Sequence, residues 1–486
     1  MDYVCGVVAE HDTVTHIESD ARLREELVSV RAERDEFKAQ LELLRAEVER
    51  LKALLGQNSS NSHRPPSSDP PGAPKGSRKK KASKLKRGAQ PGHKGRARQM
   101  LPVEEVAEIV VCRPSCCGGC GAALTGDDPC PERHQVTEIP PVVATVVEYQ
   151  LHQLACGGCG TSTRGALPDG VPLGVLGPKL LALIVMLSAV YRLSKRNVVQ
   201  LMADYLRVRI SVGTVSKAEK TASRALQVPV DEARQLAREQ PTAHADETGW
   251  RQSNKKAWLW TVVTNVAVVF AIRFSRGAKV AKEMLGERFE GVLITDRWSA
   301  YRWVDLLRRQ LCWAHLIRDF QKLADSRGPA VPIGEALGAC ARELFHLWHQ
   351  VRDGTLARAE FQLQVARQIR PEVQRLLALG AGLAPGSARR GMCEALLAAE
   401  TAMWTFVTTE GIEPTNNWAE RIIRHGVLWR RTSFGTQSPA GSLYVERMLT
   451  TVATLRLLGR SPLDYLTEAI DAANRRLPAP SLINKA

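Results

Sequence analysis

Apolar residues between positions 23 and 55 recur at alternating spacings of four and three residues, which is the seam of a heptad repeat. Arg34 alone interrupts the seam, and the positions between are rich in Arg, Glu and Lys. The seam consists of Leu23, Leu27, Val30, Arg34, Phe37, Leu41, Leu44, Val48, Leu51 and Leu55. The pattern predicts that residues 1–57 form a leucine-zipper-like coiled coil that makes the protein a homo-oligomer. The alternative, an amphipathic helix packed on its own chain, usually needs a broader apolar stripe.

A second helical pattern runs from Gly177 to Leu226. The run LLALIVMLSAVYRL is followed by SKRNVVQLMADYL and, after a short VRI turn, by SVGTVSKAEKTASRAL, which opens on Ser211 as a helix cap. Two short helices around a tight turn are compatible with a helix-turn-helix, so residues 171–238 are predicted to be a helical DNA-binding domain. Such helix pairs also occur in purely structural domains, and the pattern alone does not separate the two interpretations.

From residue 240 the pattern changes to short runs rich in β-branched residues. PTAHADETGW, WLWTVVTN and VAVVFAIRF read as strands, GAKVAKEMLGERF reads as a helix, and GVLITDRW reads as a fourth strand. Three strands followed by a helix and another strand are how a ribonuclease-H-like core begins. We therefore predict that residues 239–324 are the first part of such a catalytic core.

The core is predicted to continue with a helix-like SAYRWVDLLRR and a strand-like LCWAHLI. Residues 325–410 are dominated by Ala, Leu, Arg, Glu and Gln and are predicted to be a helical insertion. Residues 411–450 then complete the core with a helix that Thr415 or Asn416 caps, and 451–486 form a helical tail. Glu420 lies one turn into that helix, where it can also form an ordinary surface pair with Arg424. The predicted fold class is therefore α/β and multidomain.

The formal net charge of +16 and the pI near 9.5 favour a polyanionic partner, either nucleic acid or an anionic membrane. Much of the excess lies in residues 58–103, a Pro-, Gly-, Ser- and Lys-rich stretch predicted to be a disordered basic linker. A flexible basic tract suits phosphate or minor-groove contact, although it can also merely solubilise. The residues predicted to contact DNA from this tract are Lys79, Lys80, Lys81, Lys84, Lys86, Arg87, Lys94 and Arg96.

The N-terminus has acidic residues where a signal peptide needs a basic start, and it lacks the apolar core of one. No later stretch approaches the ~18 uninterrupted apolar residues of a membrane span. We therefore expect a cytoplasmic protein without membrane contact.

Seven of the eleven cysteines fall between positions 112 and 159, which favours metal binding in a reducing compartment over disulfides. Cys117-Gly-Gly-Cys120-Gly and Cys156-Gly-Gly-Cys159-Gly are two matching knuckles. Four thiolates in two such pairs suit a tetrahedral structural Zn²⁺, and the glycines let each turn fold tightly round the metal. Residues 104–170 are therefore predicted to be a zinc-binding domain. Three further cysteines leave the ligand set open: Cys112, Cys116 and Cys130.

Two aspartates fall where the predicted core would hold catalytic carboxylates. Asp246 lies on or just after the first strand, and Asp296 ends the fourth, fifty residues later. Acids often end strands as turn formers, but a carboxylate after the buried run VLIT is costly unless it emerges beside a cation or a partner. The spacing does not separate Asp246 from the adjacent Glu247.

With these motifs the chain resembles the DDE transposases of the bacterial insertion-sequence sixty-six family over most of its length. The resemblance rests on Gln57-Asn58-Ser59-Ser60-Asn61-Ser62 with Pro65-Pro66-Ser67-Ser68-Asp69, the Gly-Ala-Gln-Pro-Gly-His-Lys-Gly segment at 88–95, the paired knuckles, Ala245-Asp246-Glu247-Thr248-Gly249, Thr295-Asp296 with Tyr301, Cys312-Trp313-Ala314-His315 with Arg318, and Asn416-Asn417-Trp418-Ala419-Glu420-Arg421.

The resemblance implies that Asp246, Asp296 and Glu420 hold two Mg²⁺ or Mn²⁺ ions per active site, and it selects Asp246 over Glu247. Hard oxygen ligands suit these ions. The ions activate the oxygen that attacks a phosphodiester and stabilise the oxygen that leaves it. The predicted enzyme is a metal-dependent polynucleotidyl transferase that cleaves the ends of an insertion sequence and joins their 3′-hydroxyls to target DNA. Double-stranded DNA, companion proteins of the same element and a nucleoid-associated location are implied as well.

Three residues beside the motifs are predicted to contact phosphate: His315, Arg318 and Arg421. Cys312 and His315 can also be read as a second metal site, but with two ligands and no matching pair nearby, a buried Cys beside an active-site His is preferred. Three tryptophans near the motifs can stack on an unpaired base or form ordinary core: Trp298, Trp313 and Trp418.

Three other functions compete with this interpretation, of which a structural coiled-coil scaffold does not account for the predicted catalytic half. A non-catalytic DNA-binding regulator would keep the zipper, the basic linker and the zinc domain, but it would not need three acids distributed over this pattern. A ribonuclease-H-like nuclease or resolvase would use the same metal chemistry without strand transfer, but such enzymes rarely carry a large helical insertion before the last acid.

Overall fold

The computed structural model describes residues 28–49, 52, 99–172 and 174–483, and the chain divides into two units at residue 98. In the first unit, residues 28–49 are helical (α1) and all their side chains are exposed. The seam positions within α1 thus form an unpartnered apolar stripe in the single chain. The predicted positions outside the described residues are Leu23, Leu27, Leu51 and Leu55 of the seam and Lys79, Lys80, Lys81, Lys84, Lys86, Arg87, Lys94 and Arg96 of the linker.

The cysteine-rich segment contains little regular structure among its described residues. Strand β1 (Gln153–Ala155) pairs antiparallel with β2 (Ser162–Arg164), on either side of the second knuckle. Between the knuckles, residues 134–152 form no strand although many of them are β-branched, and only Gln153 and Leu154 of the residues up to 154 join this pairing. The turns round the cysteines, and not an extended sheet, are therefore the ordered features of this segment.

Four helices follow: α2 (Pro178–Ala189), α3 (Lys195–Leu206), α4 (Val212–Ala225) and α5 (Gln227–Arg238). The predicted cap at Ser211 is confirmed, because its hydroxyl accepts the backbone N–H of Thr214 and the two residues form a capping box. Arg207, in the left-handed conformation at φ 56°, ends α3 and allows the tight turn into α4.

The central sheet has five strands in the order β5-β4-β3-β6-β7. Strands β3 (Thr242–Gln252), β4 (Lys255–Val263) and β5 (Val268–Arg273) form an antiparallel meander, and helix α6 (Ala278–Leu285) leads to β6 (Val292–Thr295). β6 lies parallel to β3 and to β7 (Arg309–Leu311). The β3–β4 turn is only Ser253-Asn254, both at positive φ, as in a type I′ hairpin. The predicted order of three strands, a helix and a fourth strand is confirmed.

Two element predictions after Asp296 are wrong. SAYRWVDLLRR forms two short 3-10 turns instead of a helix, because the side chain of Asp305 accepts the backbone N–H of Leu307 and holds a local turn. The strand in this region ends at Leu311, and LCWAHLI continues as helix α7 (Trp313–Ala324). A short apolar run does not distinguish a strand from a buried helix, and here the apolar positions of α7 pack into a second core.

The insertion consists of helices α8 (Ala330–Asp353), α9 (Arg358–Gln364), α10 (Arg370–Ala381), α11 (Ala388–Ala398) and the short α12 (Thr405–Thr408), with a π-helical turn between α9 and α10. Its apolar side chains form a core of their own, which begins at the sheet edge with Ile294 and Leu311. A separate core on a sheet edge is what lets a long insertion be accommodated without disturbing the central strands.

Three helices complete the described chain: α13 (Asn417–Ser433), α14 (Pro439–Leu457) and α15 (Pro462–Asn474). α13 packs on β3 and β4, and α15 packs on α2, so the C-terminal helices share one core with the sheet and with α2–α5. The boundary predicted at residue 450 falls inside α14. Helices α2–α5 and α15 therefore belong to the same packed body as the sheet.

The free edge of β5 is covered by a ladder of polar side chains from α14. The backbone N–H groups of Val268, Phe270 and Ile272 donate to Thr454 Oγ1, Thr450 Oγ1 and Glu446 Oε1 at 3.0, 2.9 and 2.9 Å. Alternate residues of a strand face one side, and residues four apart on a helix share one face, so the two periodicities match. The ladder satisfies an edge that would otherwise leave buried donors unpaired.

We expect Thr450→Val to destabilise the protein by about 1–3 kcal/mol, because it keeps the shape of the side chain but leaves the buried Phe270 N–H without an acceptor. Thr451 is the matched control, since it is also fully buried and its Oγ1 has no hydrogen-bond partner among the described residues. Thr451→Val should be neutral or stabilising. Equal urea midpoints for the two variants would contradict the ladder.

Candidate active site

Asp246 and Asp296 come together because β3 and β6 are parallel neighbours. The pairs Thr242↔Val292, Ala243↔Leu293 and His244↔Ile294 all join residues fifty positions apart. Continuing that register by two residues sets Asp246, in the middle of β3, beside Asp296, which directly follows β6. The spacing noted in the sequence is thus the register of the two strands.

Glu420 reaches the same place from the first turn of α13. Asn416, immediately before α13, is buried and does not cap the helix with its side chain. Its Nδ2 donates to the carbonyl of Ala245 at 2.8 Å, its Oδ1 lies 3.1 Å from His244 Nδ1, and its backbone N–H donates to Cys312 Sγ. Of the two predicted cap residues, Thr415 and Asn416, the second occupies the N-cap position, but its side chain does not cap the helix and instead ties the start of α13 to β3, one residue from Asp246.

The electrostatics of the site favour a bound cation. Burial raises the pKa of Asp246 well above its ordinary value, and the neighbouring charges of Glu247, Asp296 and Glu420 raise it further. Among the described residues, the buried Oε1 atom of Glu420 has no hydrogen-bond partner. Like charges gathered round an unpartnered carboxylate oxygen are costly unless a divalent ion binds between them, so the donor set fits Mg²⁺ or Mn²⁺.

Glu247, the neighbour of Asp246, is bound by two other side chains of the protein. The hydroxyl of Tyr301 donates to its Oε2 at 2.6 Å, and Arg276 donates to its Oε1 at 2.8 Å through Nε and also forms an ion pair with it. Its side chain is almost wholly buried in this network. Because successive side chains of a strand face opposite sides, Asp246 is the acid left facing Asp296 and Glu420.

The Cys312, His315 and Glu420 ligand atoms lie within 4.8 Å of one another, so the predicted Cys-His pair adjoins the acid cluster. His315 Nδ1 is 3.6 Å from Glu420 Oε1, too long for a hydrogen bond. Burial raises the pKa of Cys312 to about 11, which keeps it a thiol that accepts the Asn416 N–H. Burial lowers the pKa of His315, so a neutral imidazole is available beside the carboxylates.

Arg309 was missed in the sequence. It lies on β7, is 2% exposed, and its Nε and Nη2 have no hydrogen-bond partner among the described residues. Burial lowers its pKa to about 10, while the charge of Asp296 opposes that shift. Along the chain Arg309 is the last residue of the predicted helix SAYRWVDLLRR, so no local signal marked it. In the structure its guanidinium places a positive charge beside Asp296.

The remaining predicted site residues lie on the two helices next to the acids. Arg318 is half-buried on α7, one turn after His315, and Arg421 is exposed on α13 directly after Glu420. Of the three tryptophans, Trp313 is fully buried core, Trp418 packs edge-on against His244, and Trp298 is 38% exposed.

The two cysteine knuckles have the same backbone geometry. The N–H of Cys117 donates to Ala122 and that of Cys156 to Thr161, and Gly121 and Gly160 close the turns at φ +75° and +73°. Backbone N–H groups, first that of Cys120, lower the pKa of Cys117, and hydrogen bonds from Thr161 lower that of Cys159. Both turns therefore favour the thiolate that zinc binds. Within the described residues the four thiols are not drawn into one cluster.

Comparison with known proteins identifies the family of the chain. Residues 174–443, more than half of the chain, match the family described as "Transposase IS66 family", and this range contains all three acids. The chain belongs to the IS66 transposase family. Residues 114–160, with both knuckles, match the zinc-finger binding domain of transposase IS66, and residues 12–99 match a family of unknown function.

Two relatives of this IS66 transposase are uncharacterised proteins of Sinorhizobium fredii. The protein y4qI is 27% identical over 431 aligned residues, and the match covers 82% of this chain and 77% of the relative. The protein y4hP is 26% identical over 423 aligned residues, and the match covers 77% of this chain and 73% of the relative. Membership of the family makes the chain a transposase-type nucleotidyl transferase with a zinc-finger domain. In the part of the chain that the structure describes, no helix is long and apolar enough to cross a membrane.

Proposed function

We propose that Asp246, Asp296 and Glu420 are the catalytic carboxylates of a metal-dependent DNA transposase. The observation that carries the proposal is the meeting of three acids from β3, the end of β6 and the first turn of α13, with one carboxylate oxygen buried and unpartnered. The proposed ribonuclease-H-like core is supported by the order of three strands, a helix and a fourth strand, with β6 parallel to β3. The internal hydrogen bonds of Glu247 and Cys312 support leaving both residues outside the proposed catalytic set.

The three acids would hold two Mg²⁺ or Mn²⁺ ions, which supply activation of the attacking oxygen and stabilisation of the leaving oxygen of a phosphodiester. Asn416 fixes the start of α13 against β3, so that Glu420 is presented to the two aspartates. Arg309, on the edge strand β7, offsets the charge of Asp296. No protein nucleophile is required, because water first frees a 3′-hydroxyl at the end of the element and that hydroxyl then attacks target DNA.

The test is a strand-transfer assay with the full chain, labelled duplex ends of its own element, a target plasmid and Mg²⁺. We expect cleaved ends and joined products. Cleavage without joining would identify a nuclease or resolvase, and DNA binding without cleavage would identify a regulator.

Four cysteines are proposed as the zinc ligands: Cys117, Cys120, Cys156 and Cys159. We expect about one Zn²⁺ per chain after dialysis, and loss of that zinc in Cys120→Ser and Cys159→Ser. Cys130→Ser is the control, because Cys130 is exposed and lies outside both knuckles. Full zinc content in either knuckle variant, measured by elemental analysis, would rule out this ligand set.

The exposed stripe on α1 supports pairing of two or more chains through a coiled coil. Leu41 on the seam is 50% exposed in the single chain, and Leu43, off the seam, is 73% exposed. Leu41→Arg should weaken self-association at least about a hundredfold, because a buried unpaired guanidinium costs several kcal/mol. Leu43→Arg should leave it intact. Sedimentation equilibrium of both variants measures this self-association. Equal average masses for the two variants would argue against pairing through the seam.

Duplex DNA is proposed to contact α4 as well as the basic linker. The buried side of α4 packs on α2, α3, α14 and α15. Its outer side carries exposed Lys217, Lys220 and Arg224, which recur at the three- and four-residue spacing of one helix face. This basic face supports the helix-turn-helix interpretation of α3 and α4.

A further inference from the structure

An exposed tryptophan is held rigidly beside the acid cluster. The backbone N–H of Trp298 donates to Asp296 Oδ1 at 2.9 Å, and its indole Nε1 donates to the carbonyl of Arg276 at 3.0 Å. The guanidinium of Arg276 lies 4.0 Å from the centre of the Trp298 ring. The backbone of Trp298 is thus held by Asp296 and its ring by two contacts with Arg276, yet 38% of the residue remains exposed.

The support behind this ring extends across the sheet. The guanidinium of Arg276 also lies 4.8 Å from the Trp258 ring, and the ammonium of the exposed Lys256 lies 5.1 Å from the same ring. Arg276 is held in turn by the ion pair with buried Glu247. Lysine, tryptophan, arginine and tryptophan therefore alternate in a ladder that ends beside Asp296.

The chemistry of the exposed part indicates its ligand. The indole N–H is already satisfied within the protein, so what Trp298 offers outward is an apolar π surface rather than a hydrogen-bond donor. Arg276 behind the ring adds a fixed positive charge close to the place where a phosphodiester must approach Asp296. Flat aromatic faces next to cations are the elements with which proteins bind unpaired bases of single-stranded nucleic acid, in a way that tolerates any base sequence.

We propose that Trp298 is a stacking site for an unpaired nucleobase next to the phosphodiester bound at Asp296. This inference rests on the proposed function, since it takes the acid cluster to be the place where DNA is cut. The DNA strand would then lie along the ladder formed by Lys256, Trp258, Arg276 and Trp298, and its bases would be unpaired at that place.

Binding is measured by fluorescence anisotropy in EDTA, where no chemistry occurs, with labelled dT12 and a 12-mer of abasic sites. The two probes have the same phosphates, so the ratio of their affinities isolates the bases from the basic linker. We expect wild type to prefer dT12 by about tenfold, Trp298→Ala to lose that preference, and Trp298→Phe to keep most of it. Tyr191→Ala, which removes an aromatic residue that is 59% exposed elsewhere, should behave as wild type.

Photo-crosslinking localises the base. A dT12 carrying one 5-iodouracil should crosslink to the tryptic peptide Trp298–Arg302, in which the only other aromatic residue, Tyr301, is buried. Equal affinity of wild type for both probes, an unchanged ratio in Trp298→Ala, or a crosslink confined to other peptides would overturn the proposal. Since no step needs cleavage, an inactive wild-type enzyme with a normal probe ratio would refute the proposed function and leave the stacking site standing.

Discussion

Asp246→Asn, Asp296→Asn and Glu420→Gln should each lower strand cleavage at least about a thousandfold, because each removes a ligand from ions that stabilise charge by several kcal/mol. DNA binding in EDTA should stay within about twofold of wild type, since the linker and α4 are untouched. Glu413→Gln, an exposed acid in the segment that leads to α13, is the matched control and should cleave normally. Normal cleavage by any of the three variants removes that residue from the site.

A second measurement separates metal binding from general damage. In EDTA, Asp246→Asn should be at least as stable as wild type, because it replaces a carboxylate whose negative charge is opposed by burial and by the neighbouring charges of Glu247, Asp296 and Glu420. In Mg²⁺ the order should reverse, since an ion bound only by the folded protein stabilises wild type and not the variant. A variant that is less stable under both conditions would mean that Asp246 is structural.

The proximity of Asp246 and Asp296 could be predicted from the sequence, because paired residues of two parallel strands are separated by a constant number of positions. Fifty residues separate Asp246 from Asp296, and fifty is also the offset of every β3–β6 pair. Spacing did not separate Asp246 from Glu247, because β3 is largely buried on both faces and shows no apolar–polar alternation, and only the family resemblance favoured Asp246. The contacts of Glu247 with Tyr301 and Arg276 support the same choice.

Elements fixed by local chemistry were predicted, and elements fixed by distant packing were not. The capping box at Ser211 involves residues three apart. The polar ladder from α14 to β5 joins residues more than 170 positions apart, and its buried threonines look unremarkable along the chain. LCWAHLI was misread for the same reason, since the helix at Trp313 is favoured by the second core of the insertion.

The contact that Asn416 makes with β3 could likewise not be predicted from the sequence, because it joins distant residues. Along the chain Asn416 is a helix cap, and nothing local reveals that its amide reaches β3, since Ala245 lies 171 positions earlier. It supports both acids at once: α13 carries Glu420, and the carbonyl that Asn416 holds belongs to the residue before Asp246. We therefore treat it as a positioning residue.

Asn416→Ala should lower cleavage about a hundredfold, because a shift of about 1 Å in a reacting group costs that much. It should also destabilise the fold by about 1–3 kcal/mol, since the buried carbonyl of Ala245 loses its donor. Asn417→Ala is the control, being the adjacent but exposed asparagine, and should be normal in both respects. Because displaced carboxylates bind the metal more weakly, raising the Mg²⁺ concentration should restore part of the Asn416→Ala activity but none of the Glu420→Gln activity. Equal insensitivity to Mg²⁺ in the two variants would mean that Asn416 does not act through Glu420.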